Sequence, residues 1–280
     1  MSGSLVLVAT PIGNLADLSR RAIETLAGAD IICCEDTRHT RALLTHAGIS
    51  GQRLVAVHEH NEAASAERVA GWLRDGRTVA VVTDAGTPVI SDPGRRLVRA
   101  AVDAGAAVTV VPGPSAALAA LVLSGLPADR WCFEGFLPTK GGERARRLHA
   151  LAGEERTSVL YEAPHRMRRT VADLVDALGP DRDAVIAREL TKMHETVWRG
   201  TLGEAIVLLD GDEPRGEYVI VLGGAAAAEV AVDSETIATA LASRLQAGED
   251  RRAAITAVAR QLGVPRREVY DVVIGRGNVG

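Results

Sequence analysis

The sequence has few cysteines and no zinc-binding spacing of them, which excludes two common ways of stabilising a small fold. Of its 280 residues three are cysteines, and two of those, Cys33 and Cys34, are adjacent. Adjacent cysteines pair with each other only under strain, and no Cys-x-x-Cys spacing is present. We therefore expect small buried thiols in a reducing compartment.

The sequence also lacks the apolar segments that membranes and secretion signals require. The longest nearly apolar stretch, residues 116–126, contains Ser124 and Gly125, and it is far shorter than the ~18 residues of a membrane span. The apolar run 5–9 has no basic residue before it, which predicts a first strand and not a signal peptide. The expected protein is cytoplasmic and has no membrane partner.

Lysine is almost absent, which excludes a uniformly basic surface. The net charge is −4, and Lys140 and Lys192 are the only lysines, so that arginine carries nearly all of the positive charge. A nucleic-acid-binding surface on this protein would therefore have to be a local patch.

What is present is an alternation of strand and helix patterns. The first 115 residues contain apolar strand patterns at 5–9, 31–34, 78–83 and 108–111, separated by helical patterns at 18–27, 65–74 and 94–104. Strands separated by helices favour βαβ units and a largely parallel sheet. A second α/β region begins near residue 126, with predicted strands at 158–161, 184–188 and 218–222 and a helix at 167–178.

We expect an α/β fold in three parts. These are an N-terminal α/β cofactor domain (1–117), a second α/β domain (118–224), and an alanine-rich linker with a helical tail (225–280). In the tail, two amphipathic helical patterns flank Gly263-Val264-Pro265. This pattern fits a helix-turn-helix that contacts RNA, and equally a helical hairpin that packs on the body or on a partner subunit.

Three loops rich in glycine and proline follow predicted strands of the first domain. Their sequences are ATPIGNL (9–15), TDAGTPVISDPG (83–94) and VPGPSA (111–116). Each alone could be an ordinary βα turn. Because ligands bind at the carboxyl ends of parallel strands, the three together predict a cofactor cleft.

The kind of cofactor follows from what these loops omit. The chain has neither a G-x-G-x-x-G after its first strand nor a P-loop lysine motif. The sequence therefore does not indicate a nicotinamide dinucleotide or a nucleoside triphosphate as the ligand. The loops carry almost no lysine or arginine, which favours a ligand without phosphates, such as S-adenosylmethionine.

Several segments, in order along residues 5–224, resemble the ribosomal RNA small subunit methyltransferase I family of the tetrapyrrole methylase superfamily. They are ATPIGNL (9–15), EDTR (35–38), DAGTPVISDPG (84–94), PGPSA (112–116), EGFLP (134–138), EAPHR (162–166), RELT (188–191) and RGEY (215–218). The resemblance implies two α/β domains with the cofactor cleft between them, and a homodimer. It also implies methyl transfer from S-adenosylmethionine to the ribose 2′-hydroxyl of a cytidine in the decoding region of 16S ribosomal RNA, in the 30S subunit.

The resemblance also implies which residues contact the cofactor. They are Pro11, Ile12, Asp84, Ala85, Gly86, Thr87, Ile90, Ser115, Ala116 and Glu162. Thr87 stands where tetrapyrrole enzymes usually have aspartate, with Asp84 three residues earlier. This departure leaves open which side chain binds the polar groups of the cofactor.

Methyl transfer needs an aligned acceptor and gains from a proton acceptor. The candidate catalytic residues lie at predicted strand ends: Glu35, Asp36, Arg38, His58, His60 and Asn61. Helix capping by Asp36 and solvated histidine rings on an edge strand remain open alternatives. A metal bound by His58 and His60 would need a third ligand, and no metal is expected.

Contacts with RNA phosphates are expected from the second domain. The candidates are Arg144, Arg146, Arg147, Arg166, Arg168 and Arg169, with residues 140–143 as a loop that closes over RNA. Tyr161 and Trp198 could stack on a base or belong to the core. Two other functions remain as alternatives, a small-tetrapyrrole methyltransferase and a non-catalytic nucleic-acid-binding regulator. The first predicts a Gly-Asp-Pro loop, and the second a cleft without the EDTR and HEHNE segments; neither pattern is present.

Overall fold

The computed structural model describes residues 3–211, 213–226 and 233–275, with side chains described through residue 272. Contacts within the chain divide it into two units, Met1–Ala226 and Ala227–Gly280. The strands are β1 (Ser4–Val8), β2 (Ile31–Cys34), β3 (Leu54–Ala56), β4 (Thr78–Val81), β5 (Ala107–Val111), β6 (Trp131–Phe136), β7 (Thr157–Glu162), β8 (Asp183–Arg188), β9 (Thr196–Thr201) and β10 (Tyr218–Leu222). The helices are α1 (Arg20–Gly28), α2 (Thr37–His46), α3 (Glu62–Arg74), α4 (Arg95–Asp103), α5 (Ala116–Ser124), α6 (Gly141–Ala152), α7 (Met167–Leu178), α8 (Leu202–Leu209), α9 (Ser234–Gln246), α10 (Arg251–Leu262) and α11 (Arg266–Gly275).

The first sheet has the order β3-β2-β4-β1-β5 and is parallel throughout, as the alternating pattern predicted. Its central strands are short apolar runs, typical of a sheet covered by helices on both faces. Leu5 and Ile31 are fully buried on one face with α3 and α4. Because β1 lies between β4 and β5, the three loops rich in glycine and proline meet at one edge of this sheet.

The second sheet has the order β6-β7-β10-β8-β9 and is mostly antiparallel, with only β6 and β7 parallel. Helices α6, α7 and α8 pack on one face around Met167 and Leu174. Helix α5 packs on the other face, where Ala120 and Ile12 share a cluster with Val159. The α/β fold with two sheets is thus confirmed. The expected domain boundary at residue 117 lies inside α5 and stays a prediction.

Two local expectations were wrong. Residues 140–143 are not a free loop, because α6 begins at Gly141 and Lys140 is its N-terminal flanking residue. His58 and His60 are not on an edge strand, because β3 ends at Ala56 and the histidines lie in the turn that follows. The three-residue strand is too short to carry the alternation that the sequence suggested.

The second unit is a group of three helices, α9, α10 and α11, around Leu241, Ile255, Val258 and Val269. Helix α10 ends at Gly263 in the left-handed conformation, at the predicted turn. The linker expected at 225–228 lies partly outside the described residues. No helix of the described part of the chain is long and apolar enough to cross a membrane.

Candidate functional site

The cavity at the carboxyl edge of the first sheet encloses about 440 Å³ and is closed on its far side by β7 and β10 of the second sheet. Its lining residues are Ile12, Glu35, Thr83, Asp84, Ala85, Gly86, Thr87, Ile90, Ser91, Asp92, Ser115, Ala116, Phe136, Tyr161, Glu162, Ala163, Pro164, Leu190, Glu217, Tyr218 and Val219. All of the residues predicted to contact the cofactor line this cavity except Pro11, which lines an adjoining cavity. We call the 440 Å³ space the first cavity.

The three loops of the first cavity are fastened to one another through their backbones. Thr10 and Gly86 exchange two hydrogen bonds, the N–H of Thr10 donating to Gly86 O at 2.8 Å and the N–H of Gly86 to Thr10 O at 3.2 Å. The Thr87 hydroxyl donates to Pro114 O at 3.3 Å. Gly86 has a φ of +83°, a conformation that glycine adopts without strain. These contacts fix the cavity wall before any ligand binds.

Backbone strain is concentrated at the same place. The positive φ values of non-glycine residues in the described chain belong to Val89 (78°), Ser91 (63°), Glu189 (51°) and Thr191 (66°). The first two are in the second glycine-rich loop, and the other two follow β8 beside Leu190. Such conformations cost about 1–3 kcal/mol each and persist where the surrounding structure holds them, commonly at functional sites.

Carboxyl groups cluster on one wall of the first cavity. Burial, together with the charges of Glu35 and Asp84, raises the pKa of Asp92 to about 6. Burial and the charge of Asp84 likewise raise the pKa of Glu35. The Thr83 hydroxyl lies beside Glu35 and Asp92 and lowers the pKa of both, yet no hydrogen bond of ordinary geometry reaches it in the described structure. This wall therefore presents polar groups without complete partners.

The opposite wall is satisfied internally. Glu162 lines the first cavity, but its carboxylate accepts hydrogen bonds from the Thr170 hydroxyl at 2.6 Å and the Ala163 N–H at 2.9 Å, and Arg166 Nε lies 3.1 Å away. Tyr161 accepts a hydrogen bond from the N–H of Ala117 at 3.2 Å. Its ring contacts Phe133 and Phe136, which makes it part of the wall.

A second cavity of about 310 Å³ adjoins the first, and we call it the second cavity. The two share Ile12, Thr83, Asp84, Ala85 and Glu217. The second cavity adds residues of the first loop, one side of α2, and Lys192. It is the place where loop one meets the segment after β8: a side chain added at Gly13 would approach Lys192 Cγ to 2.5 Å.

The predicted catalytic residues are spread over three environments. Glu35 lines the first cavity. Asp36 caps α2 by accepting the N–H of Arg38 at 2.7 Å, and it pairs with the Arg38 guanidinium at 2.6 Å, which holds the pKa of Asp36 well below its usual range. Neither Asp36 nor Arg38 lines either cavity. A catalytic role for them stays a prediction.

His58, His60 and Asn61 lie outside both cavities. The two imidazole rings are exposed, with their centroids 6.0 Å apart. The Asn61 amide oxygen accepts the N–H of His58 at 2.9 Å, which holds the turn before α3. A catalytic role for these residues stays a prediction, although their side chains line neither cavity. No group of three or more His, Cys, Asp or Glu side chains suited to a metal occurs in the described chain.

Sequence reasoning missed Asp92, His39 and Lys192. Asp92 could have been found, because it belongs to the same loop as five of the predicted cofactor residues. His39 follows Arg38 by one position, and only the α2 turn brings it beside Asp84, 3.0 Å away. Lys192 comes from the second sheet, so that no local pattern connects it with the first.

The expected basic face is smaller than the sequence suggested. Arg144 is 4% exposed and bonded to Asp173 at 2.7 Å and to Thr170 at 3.0 Å, so its assignment to RNA phosphates was wrong. Arg168 donates to the carbonyls of Leu209 and Gly211, both at 2.8 Å. Arg146, Arg147, Arg168 and Arg169 are exposed, but Arg147 pairs with Glu134 at 3.0 Å and Arg169 lies 3.8 Å from Asp173.

The chain matches a known protein family and has curated relatives over almost its full length. Residues 4–206 match the model of the family described as Tetrapyrrole (Corrin/Porphyrin) Methylases. Proteins named ribosomal RNA small subunit methyltransferase I are similar over nearly the whole chain. The one from Synechocystis sp. is 45% identical (96% of this chain, 97% of the relative), and that from Xylella fastidiosa is 49% identical (96% and 98%). The one from Escherichia coli is 44% identical, over 97% of this chain and 95% of the relative.

Two solved structures show the same fold at low sequence identity. The methyltransferase CobJ superposes with a TM-score of 0.60 at 22% identity, covering 81% of this chain and 95% of that one. Uroporphyrin-III C-methyltransferase from Thermus thermophilus, complexed with S-adenyl homocysteine, gives a TM-score of 0.55 at 21% identity and covers 79% and 97%.

Proposed function

This chain belongs to the tetrapyrrole methylase family, among the ribosomal RNA small subunit methyltransferases I, and on that premise we propose that it methylates 16S ribosomal RNA. The donor is S-adenosylmethionine, and the acceptor is the ribose 2′-hydroxyl of a cytidine in the decoding region. The observation that carries the proposal is that three loops rich in glycine and proline meet at one cavity, in a chain similar to these methyltransferases along almost its full length.

The first cavity fits S-adenosylmethionine by its chemistry. No lysine or arginine lines it, so it has no cation for a phosphate, while Ile12, Ala116 and Leu190 supply an apolar surface for an adenosine. Glu35, Asp84 and Asp92 place negative charge on the wall, which suits a cationic sulfonium and an amino group. The orphan Thr83 hydroxyl is a further polar group that a ligand could satisfy.

The bound cofactor supplies a methyl group on a positively charged sulfur. The chain itself positions the reactants. The backbone hydrogen bonds between the loops hold the cavity wall in place, so the protein needs little rearrangement when the two reactants bind. The strained residues Val89 and Ser91 keep the second loop in the shape that the cavity requires.

Two alternative functions are less favoured. A small-tetrapyrrole methyltransferase shares the fold, but the proteins at 44–50% identity are named as methyltransferases of ribosomal RNA. A non-catalytic regulator is less favoured for the same reason, since these relatives are named as methyltransferases. Action on the assembled 30S subunit, a homodimeric state and a cytoplasmic location are further parts of the proposal.

The experiment incubates the purified protein with radiolabelled S-adenosylmethionine and either 30S subunits lacking this modification or free 16S RNA. Nuclease digestion and mass spectrometry then map the label. A single labelled 2′-O-methylcytidine is the expected result, and the better acceptor of the two identifies the natural substrate. Binding of the cofactor without label in either RNA would overturn the proposed function.

A further inference from the structure

The second cavity adjoins the first, and the two share part of their lining. Ile12, Asp84 and Ala85 belong to both. A ligand in the second cavity would therefore lie next to a ligand in the first. Methyl transfer needs this proximity, since the acceptor oxygen must come into contact with the methyl group of the donor.

The lining of the second cavity suits a ribonucleotide. Leu15 and Leu43 provide apolar surface, and Lys192 provides a cation, in contrast to the first cavity, which has none. Lys192 is held in place, because its Nζ lies 2.9 Å from Glu189 and 2.8 Å from Glu217. Two of its three N–H groups are engaged there, and the third can donate to an oxygen of a ribonucleotide that lies on the apolar surface.

One side chain in this cavity is equipped to accept a proton. His39 Nδ1 lies 3.0 Å from Asp84 Oδ2. The other oxygen of Asp84 accepts the N–H of Asp36 at 3.1 Å, so the carboxylate is fixed by the start of α2. A carboxylate at Nδ1 keeps the proton on that nitrogen and leaves Nε2 with a free lone pair. The His39 side chain is 69% exposed, so a macromolecular substrate can reach it.

The charges around His39 come from every element that surrounds it. Glu35 and Asp36, at the end of β2 and the start of α2, and Asp84, after β4, interact with its charge. Across the second cavity lie Lys192, after β8, and Glu217, before β10. Arg38, next to His39 on α2, pairs with Asp36 and adds a positive charge at this place.

We propose that the second cavity binds the acceptor ribonucleotide and that His39 takes the proton of its 2′-hydroxyl. The inference rests on the proposed function. The hydroxyl oxygen forms a bond to the methyl carbon, and the carbon–sulfur bond breaks with its electron pair remaining on sulfur. The hydroxyl proton moves to His39 Nε2 and then to water, so that S-adenosylhomocysteine and the methylated ribose are the products. Asp84 is a positioning residue that holds the imidazole.

The test compares His39→Ala with His46→Ala, an exposed histidine at the other end of the same helix that lines neither cavity. Single-turnover methylation of 30S subunits is measured from pH 5.5 to 8.5, and affinity for S-adenosylmethionine by calorimetry. For His39→Ala we expect a rate loss of about 100-fold, near the lower end of what a general base contributes. Cofactor affinity should stay within about twofold, since His39 does not line the first cavity.

Two further readouts separate a proton acceptor from a structural residue. Part of the fall of the wild-type rate at acid pH should be lost in His39→Ala, while the part that comes from protonation of Asp92 in the first cavity should remain. Added imidazole should restore part of the rate of His39→Ala and leave His46→Ala unchanged. A His39→Ala enzyme with the wild-type rate, or with a lowered rate but an unchanged pH profile and no rescue, would overturn the inference. The proposed function fails separately, if the wild-type protein labels neither RNA.

Discussion

At the edge of the first sheet, the carboxyls of Glu35 and Asp92 face an open cavity and have raised pKa values. In the second sheet, Glu162 borders the same cavity, but Thr170, Ala163 and Arg166 already bind its carboxylate. One wall thus has polar groups that lack partners, and the other has polar groups that are used in its own structure. A ligand gains most binding free energy from the first wall, because it can form hydrogen bonds with polar groups that lack a partner in the protein.

The arginines repeat this difference. The second half of the chain carries many of them, yet Arg144 and Arg166 bind carboxylates, and Arg168 binds carbonyl oxygens within the fold. Lys192, one of two lysines in the chain, lines the second cavity, and its ammonium is likewise paired, with Glu189 and Glu217. Charge composition therefore overestimates the surface available to RNA, because it cannot distinguish a structural arginine from a free one.

The largest expected effect is on stability, from the satisfied wall. Arg144→Ala removes a buried cation that binds Asp173, the Thr170 hydroxyl and the Pro138 carbonyl, and each of these groups loses that hydrogen bond. We expect a loss of about 3–5 kcal/mol in the free energy of unfolding, measured in urea. Arg146→Ala, an exposed change on the same helix, should stay within about 0.5 kcal/mol. Equal effects of the two would contradict the buried network.

The next effect is on the open wall and concerns ligand affinity. Ala85 is exposed and lines both cavities, so Ala85→Phe would fill the space between them at little cost in folding. We expect affinity for S-adenosylmethionine to fall about 100-fold, or ~2.7 kcal/mol, by calorimetry. The matched control is Ala145→Phe, on an exposed face of α6. Unchanged affinity in Ala85→Phe would place the cofactor elsewhere.

A smaller effect depends on pH. The folded-state pKa of Asp92, about 6, lies above its ordinary value of 3.8, so the folded protein holds this proton more tightly than the unfolded chain. The associated stability is fully present below about pH 4 and is lost as the pH rises through 6. Compared with Asp92→Asn, the wild type should lose about 1 kcal/mol between pH 4 and 7, a value reduced for partial exposure. Parallel stability curves would show that Asp92 is not desolvated.

The smallest effect compares the strained loops. Ser91→Gly relieves a positive φ, but it also increases the entropy of the unfolded chain, so we expect a change within about 0.5 kcal/mol. Thr191→Gly relieves similar strain, yet it removes the hydroxyl that accepts the N–H of Asn14 at 3.1 Å. It should cost about 1 kcal/mol in chemical denaturation. A larger loss of stability in Ser91→Gly than in Thr191→Gly would mean that relief of backbone strain at Thr191 outweighs the lost hydrogen bond.

Local patterns predicted much of the first sheet and of the cavity. The predicted strand 218–222 coincides with β10, and the three glycine-rich loops follow β1, β4 and β5 as expected. By contrast, α6 was not predicted, and α2 was indicated only by the alternative of helix capping at Asp36. The mostly antiparallel pairing of the second sheet was not evident either, since a strand's composition does not state the direction of its neighbour.

The sequence by itself determined which segments form the cavity wall, since glycine, proline and strand periodicity act over a few neighbouring residues. Only the tertiary structure decided which charged groups meet. His39 and Asp84 are 45 positions apart, and Arg144 and Asp173 are 29 apart. Whether such side chains are paired, buried or open to a ligand depends on how sheets and helices pack. Periodicity shows which face of an element is apolar, but not what that face will touch.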